Sequence, residues 1–176
     1  MATIWVEKKD FHITNDVEVK SYLEEQGVIY ENWNIDQLHS SLREKFILTD
    51  EEKSAILDTF KNEIESISTR RGYLASDIIS LSDATPKLDE LLKNFNREHH
   101  HTDDEVRFIV SGHGTFIIEG NEGFFHVHLN PGDLISVPPN VRHYFTLADD
   151  RKVVAVRLFV TTEGWVPIYE EQVQQG

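Results

Sequence analysis

Between Glu98 and Gly112 the chain reads EHHHTDDEVRFIVSG: three consecutive histidines, with a glutamate four residues past the last of them. Imidazole and carboxylate groups at this spacing are a donor set for a divalent metal ion. Residues two apart in an extended chain point to the same face. His99, His101 and Glu105 therefore share a face if the turn between them preserves parity. His100 points oppositely, toward solvent. A fourth candidate is His143, in the run RHYFTL that follows the turn PPN. Three neutral imidazoles and one carboxylate suit iron, nickel, manganese or cobalt. Four protein ligands in an octahedral shell leave two adjacent positions, which a bidentate organic substrate would fill.

The same parity identifies what else faces the ion. Arg107 lies two residues past Glu105 and Phe145 two past His143, so both point inward. A guanidinium inside a protein is costly unless an anion meets it. That anion is either a protein carboxylate, Glu105 being the nearest in sequence, or an oxygen of a substrate at the metal. In the apolar run KVVAVRLFV, Arg157 is a lone charge. It is expected to be partly buried and paired, with Glu98, beside His99, as the leading partner and a support for the ligand from behind. A second histidine pair, His126 and His128, also has same-face parity but no carboxylate at ligand spacing, and reads as a polar strand face. His113 sits between two glycines and reads as a turn, while His12 and His39 have no partners in sequence.

These side chains must be positioned by two differently textured halves. From Asn15 to Gly72 the pattern is helical. Asn15 with Glu18, and Thr49 with Glu52, have capping-box spacing. Ile56, Leu57, Phe60 and Ile64 then follow at helical intervals, and Gly27 and Gly72 act as stops. VIYENW reads as a strand between the helices, DQLHSSL as a short helix, DIISL as a strand and PKLDELLKNF as a further helix or turn. From about Asn96 to Thr162 come six short β-rich runs, separated by GNEG, NPG, PPN and ADDR. Regular short strands with such turns indicate an antiparallel sandwich or barrel. No repeat or flexible linker is visible, so residues 1–176 read as one domain.

Composition excludes several functions. A formal net charge of −14 argues against nucleic acid or an anionic membrane as partner, since both need a basic footprint. With no cysteine, disulfides, thiolate metal sites and cysteine nucleophiles are excluded. The N-terminal stretch has no signal-peptide pattern and no apolar run approaches a membrane span, so the cytoplasm is the expected compartment; separately, a monomer is expected.

The histidine-glutamate stretch also belongs to a longer pattern. Glu105 is followed after six residues by Gly112, and Gly132 after five by Pro138, then by Asn140 and His143. This resembles the two motifs of the cupin superfamily, with Lys93, Asn140 and Leu147 departing from it. Asn140 replaces a turn glycine, and asparagine tolerates positive φ better than most residues. The resemblance implies a jelly-roll β-barrel, mainly β, with an added helical N-terminal part and the metal in one mouth. Over nearly the full length, including ISTRRGY and VRLFVTTEGWVPIY, the chain resembles the acireductone dioxygenase family.

That family's metal ligands fall on His99, His101, Glu105 and His143, its substrate arginine on Arg107, and its aromatic pocket on Phe95, Phe145 and Trp165. The resemblance implies one Fe(II) or Ni(II) per chain. The implied substrate is the enediol 1,2-dihydroxy-3-keto-5-methylthiopentene of methionine salvage, cleaved by O2. The iron form of the family gives 4-methylthio-2-oxobutanoate and formate; the nickel form gives 3-methylthiopropionate, formate and carbon monoxide. Iron is the expected salvage-productive form. A metal-dependent cupin isomerase or decarboxylase, or a small-molecule sensor, is the alternative.

Overall fold

The computed structural model describes residues 2–82, 105–148 and 150–160, together with the backbone of residues 99–100 and 168–169. The chain opens with β1 (Thr3–Val6) and β2 (Phe11–Ile13), then α1 (Asp16–Glu25) and β3 (Ile29–Asn32). Two helices, α2 (Asp50–Thr59) and α3 (Lys61–Arg71), precede β4 (Ala75–Leu81). The remaining strands are β5 (His99–His100), β6 (Glu105–Gly112), β7 (Gly114–Gly120), β8 (Gly123–Leu129), β9 (Asp133–Val137), β10 (His143–Leu147), β11 (Val153–Phe159) and β12 (Ile168–Tyr169). They form two antiparallel sheets. The first has the order β12-β5-β10-β7-β8-β1-β2 and the second β3-β9-β6-β11-β4. This is the expected jelly-roll barrel of cupin type, mainly β with a helical part toward the N-terminus.

Two apolar cores follow from the alternation along the strands. One lies between the sheets and gathers Ile4, Ile109, Phe116, Phe125, Val127, Ile135, Val137, Phe145 and Ala155. The other lies on the opposite face of the second sheet, where Val106, Phe108, Leu134 and Val156 meet Trp33, Ile56, Phe60 and Ile67. The strand β6 is buried along its whole length because it contributes to both cores. It also pairs with β9 on one side and β11 on the other, so its backbone is fixed from both edges.

Local chemistry explains most boundaries. Thr49 and Glu52 form a reciprocal capping box, with Glu52 N–H donating to Thr49 Oγ1 at 3.1 Å and Thr49 N–H to Glu52 Oε1 at 3.0 Å. Asn15 accepts from the backbone N–H groups of Val17 and Glu18. Asn140, in the place of the turn glycine, has φ +64°. A buried polar knot ties β3 to the start of β9. Tyr30 donates to Asp133 Oδ1 at 2.7 Å, Asn32 donates to the same oxygen at 2.6 Å, and Asn130 N–H donates to Oδ2 at 2.8 Å.

Two expectations need correction, and one hairpin adds to them. The apolar spacing predicts one helix after Thr49, but the chain kinks at Phe60 (φ −103°, ψ 18°) into α2 and α3. The kink lets the fully buried Phe60 ring meet Phe108 at 4.8 Å between centroids, so packing overrides helix continuity. DQLHSSL forms two separate 3₁₀ turns, Ile35–Gln37 and Ser40–Leu42, capped by the Asn34 and His39 side chains. The hairpin of β1 and β2, which local sequence did not reveal, completes the edge of the first sheet against β8.

Candidate metal centre

Glu105 begins β6 in the second sheet, and His143 begins β10 in the first. Their side chains meet between the sheets, with His143 Nε2 3.0 Å from Glu105 Oε2, at 1% and 4% side-chain exposure. The other imidazole nitrogen, Nδ1, lies 2.8 Å from the Val141 carbonyl oxygen. A carbonyl only accepts, so this contact places the proton of the neutral ring on Nδ1 and leaves the Nε2 lone pair facing the carboxylate. Two lone pairs at that separation need a cation between them, either a proton or a metal ion. Two ligands each about 2.1 Å from one ion and at right angles are themselves about 3.0 Å apart. The donor atoms thus fit a divalent ion in type and in spacing.

The strand register adds a third residue. Backbone pairing sets His99 directly opposite His143, with Tyr169 on its other side. His101, Phe95, Trp165 and Glu98 lie outside the described residues. Among the described residues no three histidine, aspartate or glutamate side chains converge on one point.

Arg107 is 2% exposed, and its guanidinium carbon lies 4.6 Å from the centroid of the Phe145 ring and 5.7 Å from that of Phe116. The cation reaches across the barrel from the second sheet to the aromatic face of the first. Such contacts help hold a desolvated guanidinium. Burial pushes the Arg107 pKa down to about 10, against a raising effect from Glu105, so the group stays charged at neutral pH. Phe145 itself packs on Gly114, where an added β-carbon would come 2.5 Å from the ring. The inward parity of Glu105, Arg107, His143 and Phe145 is realised for all four.

The pair His126 and His128 lies elsewhere, on the outer face of the first sheet. It lines an open groove of about 640 Å³ with Thr115, Ile117, Tyr144 and Thr146. His126 Nε2 is 3.2 Å from Glu7 Oε2, and His128 Nδ1 is 2.8 Å from Thr115 Oγ1. Trp5 covers the His126 ring at 4.7 Å. These contacts fit the polar strand face expected of the pair. His113 is in the turn between β6 and β7, 2.8 Å from Asp150 Oδ2.

The ARD/ARD′ family model matches residues 3–167. The chain belongs to the ARD/ARD′ family. It is 68% identical over 173 residues to an acireductone dioxygenase of Bacillus subtilis, covering 97% of each chain. It is 65% identical over 178 residues to that of Bacillus velezensis, covering 100% of both. Among solved structures it resembles an acireductone dioxygenase from Bacillus anthracis with a cadmium ion in its active center. The TM-score is 0.94 and the identity 64%, over 96% of this chain and 98% of that one.

Within this ARD-family barrel, two contributors escape sequence parity. Phe116 on β7 joins Phe145 beneath Arg107 because β7 pairs with β10 in register Phe116 to Phe145. Only the apolar alternation of GTFIIEG could have marked it as inward. The other is Asp77. Arg157 is partly buried and paired, as expected, and Asp77 is a partner, at 2.8 and 2.6 Å to its two carboxylate oxygens. Neither residue's local sequence names the other.

The metal-free pair has a testable pH behaviour. Burial opposes the charged imidazole of His143. The nearby Glu105 charge, its hydrogen bond and the Val141 carbonyl outweigh that, and the pKa is raised above the ordinary histidine value. A raised folded pKa contributes stability that is full below the ordinary value and is lost as pH rises through the raised one. Metal-free protein should therefore gain stability from this group on acidification through that window. Metal uptake should release a proton there. Titration calorimetry in two buffers of different ionisation enthalpy measures the proton directly, and equal apparent heats would contradict it.

Proposed function

We propose that this chain is an acireductone dioxygenase: a divalent-metal-dependent enzyme that cleaves an enediol with O2. The observation that carries the reading is the buried 3.0 Å contact of His143 Nε2 with Glu105 Oε2, beside the buried Arg107 cation. His99 and His101 would complete the ligand set with these two residues. A bound divalent ion would act as a Lewis acid, stabilising negative charge on the substrate's adjacent oxygens.

The chain's own residues supply the rest. Arg107 presents a fixed cation to the developing enediolate in a site screened from water, where its field counts most. It cannot bind a metal, because a guanidinium has no acceptor. Phe145 and Phe116 hold the guanidinium in place. By the family resemblance, Phe95 and Trp165, with Phe145, would line the pocket for the substrate's apolar tail. Such an aromatic lining would favour a thioether-bearing chain over a phosphorylated or sugar substrate. The family resemblance supports 1,2-dihydroxy-3-keto-5-methylthiopentene as that substrate, and with it a role in methionine salvage.

Fe(II) would give the keto acid and formate, and Ni(II) the shorter acid, formate and carbon monoxide. The test is O2 uptake on adding an acireductone to protein loaded with Fe(II), with products identified from Fe(II)- and Ni(II)-loaded samples. Rapid uptake with formate release is expected from both, and carbon monoxide from the nickel sample alone. Turnover of the acireductone without O2 consumption would favour a cupin isomerase or decarboxylase.

A further inference from the structure

The interior face of the second sheet carries a row of charge. Cross-strand register sets Arg157 of β11 directly between Asp77 of β4 and Arg107 of β6. Directly paired residues of antiparallel strands project from the same face, and Glu105, two residues before Arg107, shares it. Glu105 is thus a diagonal neighbour of Arg157, a separation that long side chains span. The side chains of Asp77 and Arg157 are 43% and 24% exposed, whereas that of Glu105 is 4% exposed.

This arrangement creates a hazard for a metal centre. A guanidinium seeks a bidentate carboxylate, and the Glu105 carboxylate must be available to the ion. Asp77 removes the hazard by geometry. Arg157 Nε donates to Asp77 Oδ1 at 2.8 Å and Nη2 to Oδ2 at 2.6 Å, so one edge of the fork is occupied and drawn toward the edge strand. The contact of the Arg157 guanidinium carbon with the Phe159 ring, at 5.3 Å, holds it from a second side.

We propose that Asp77 is a positioning residue for the metal centre: by clamping Arg157 it keeps that guanidinium off Glu105 and leaves the carboxylate to the ion. The proposal rests on the metal-dependent reading above, in which Glu105 is a ligand.

The test is calorimetric titration of the full-length, metal-stripped protein with Ni(II). Asp77→Asn should weaken Ni(II) binding about tenfold, the scale at which residues behind a ligand act. Adding Arg157→Met to Asp77→Asn removes the competing cation and should restore affinity to within about twofold of the parent, a difference inside ordinary non-additivity. Asp77→Asn binding Ni(II) like the parent would overturn the proposal, and so would a loss that persists in the double variant. Glu105→Ala in the same titration separates the two levels of inference. If it binds Ni(II) normally, the metal reading itself fails. If it loses binding while Asp77→Asn does not, only the role of Asp77 fails. Should Asp77→Asn not fold, as judged by thermal unfolding of the metal-free protein, Arg157→Met alone decides. Parent-like affinity supports the clamp, and a tenfold loss makes Arg157 a support rather than a competitor and overturns it.

Discussion

Glu105→Ala should leave the barrel folded and the metal lost. The carboxylate is buried at the start of β6 and faces His143 Nε2 at 3.0 Å. Removing it deletes the only anion of the proposed ligand set and leaves three neutral imidazoles to hold a dication. Outer-sphere partners alone typically change metal affinity by 10–100-fold, so loss of an anionic ligand should exceed about 100-fold. The measurement is metal content of protein as purified, with the Fe(II) dissociation constant by competition. Thermal unfolding of the metal-free form serves as the fold control. The metal-free variant should still unfold cooperatively but lose the acid-side stability that Glu105 gives the metal-free parent through His143, because deleting one partner of a buried charge pair is destabilising. Full metal content with reduced turnover would make Glu105 a substrate contact and remove it from the ligand set.

Arg107→Ala should do the reverse: keep the metal and lose the chemistry. The guanidinium is buried on Phe145 and Phe116 and stays charged at neutral pH with its pKa near 10. Losing a preorganised charge-assisted contact in a dry site costs roughly 2–4 kcal/mol of transition-state stabilisation, or about 30- to 1,000-fold in kcat/KM. Arg107→Lys should recover only part, because a lysine ammonium lacks the planar fork and is more strongly hydrated. Anaerobic substrate binding by absorbance, turnover under oxygen and metal analysis on one sample distinguish the outcomes. Normal turnover would make Arg107 structural. Loss of metal would mean that it holds Glu105 in place, and substrate recognition would then lie elsewhere.

The legibility of this site follows the range of the forces that build it. Strand parity is a property of the backbone within a few residues, and it identified Glu105 with Arg107, and His143 with Phe145, as inward pairs before any fold was known. Turn chemistry is equally local: Asn140 at φ +64° and the Thr49 to Glu52 capping box were readable from residue type and spacing. The helix break at Phe60 was not, because helical periodicity continues through it. What bends the chain there is an aromatic cluster with Trp33 and Phe108, residues 27 positions before and 48 after in the sequence.

Sequence by itself determined the candidate donor types, the inward parity of Glu105, Arg107, His143 and Phe145, the barrel class and the family of this protein. It did so because alternation, glycine and asparagine turns and the histidine-glutamate spacing are local, and a ligand set is defined by chemistry. Tertiary structure decided which inward residues meet. It brought Glu105 of one sheet against His143 of the other, laid Arg107 on Phe116 as well as Phe145, and gave Arg157 to Asp77 across the β4–β11 register. Those are contacts between strands far apart in the chain. They are set by how two sheets pack and by which strands become neighbours, and no local preference encodes either.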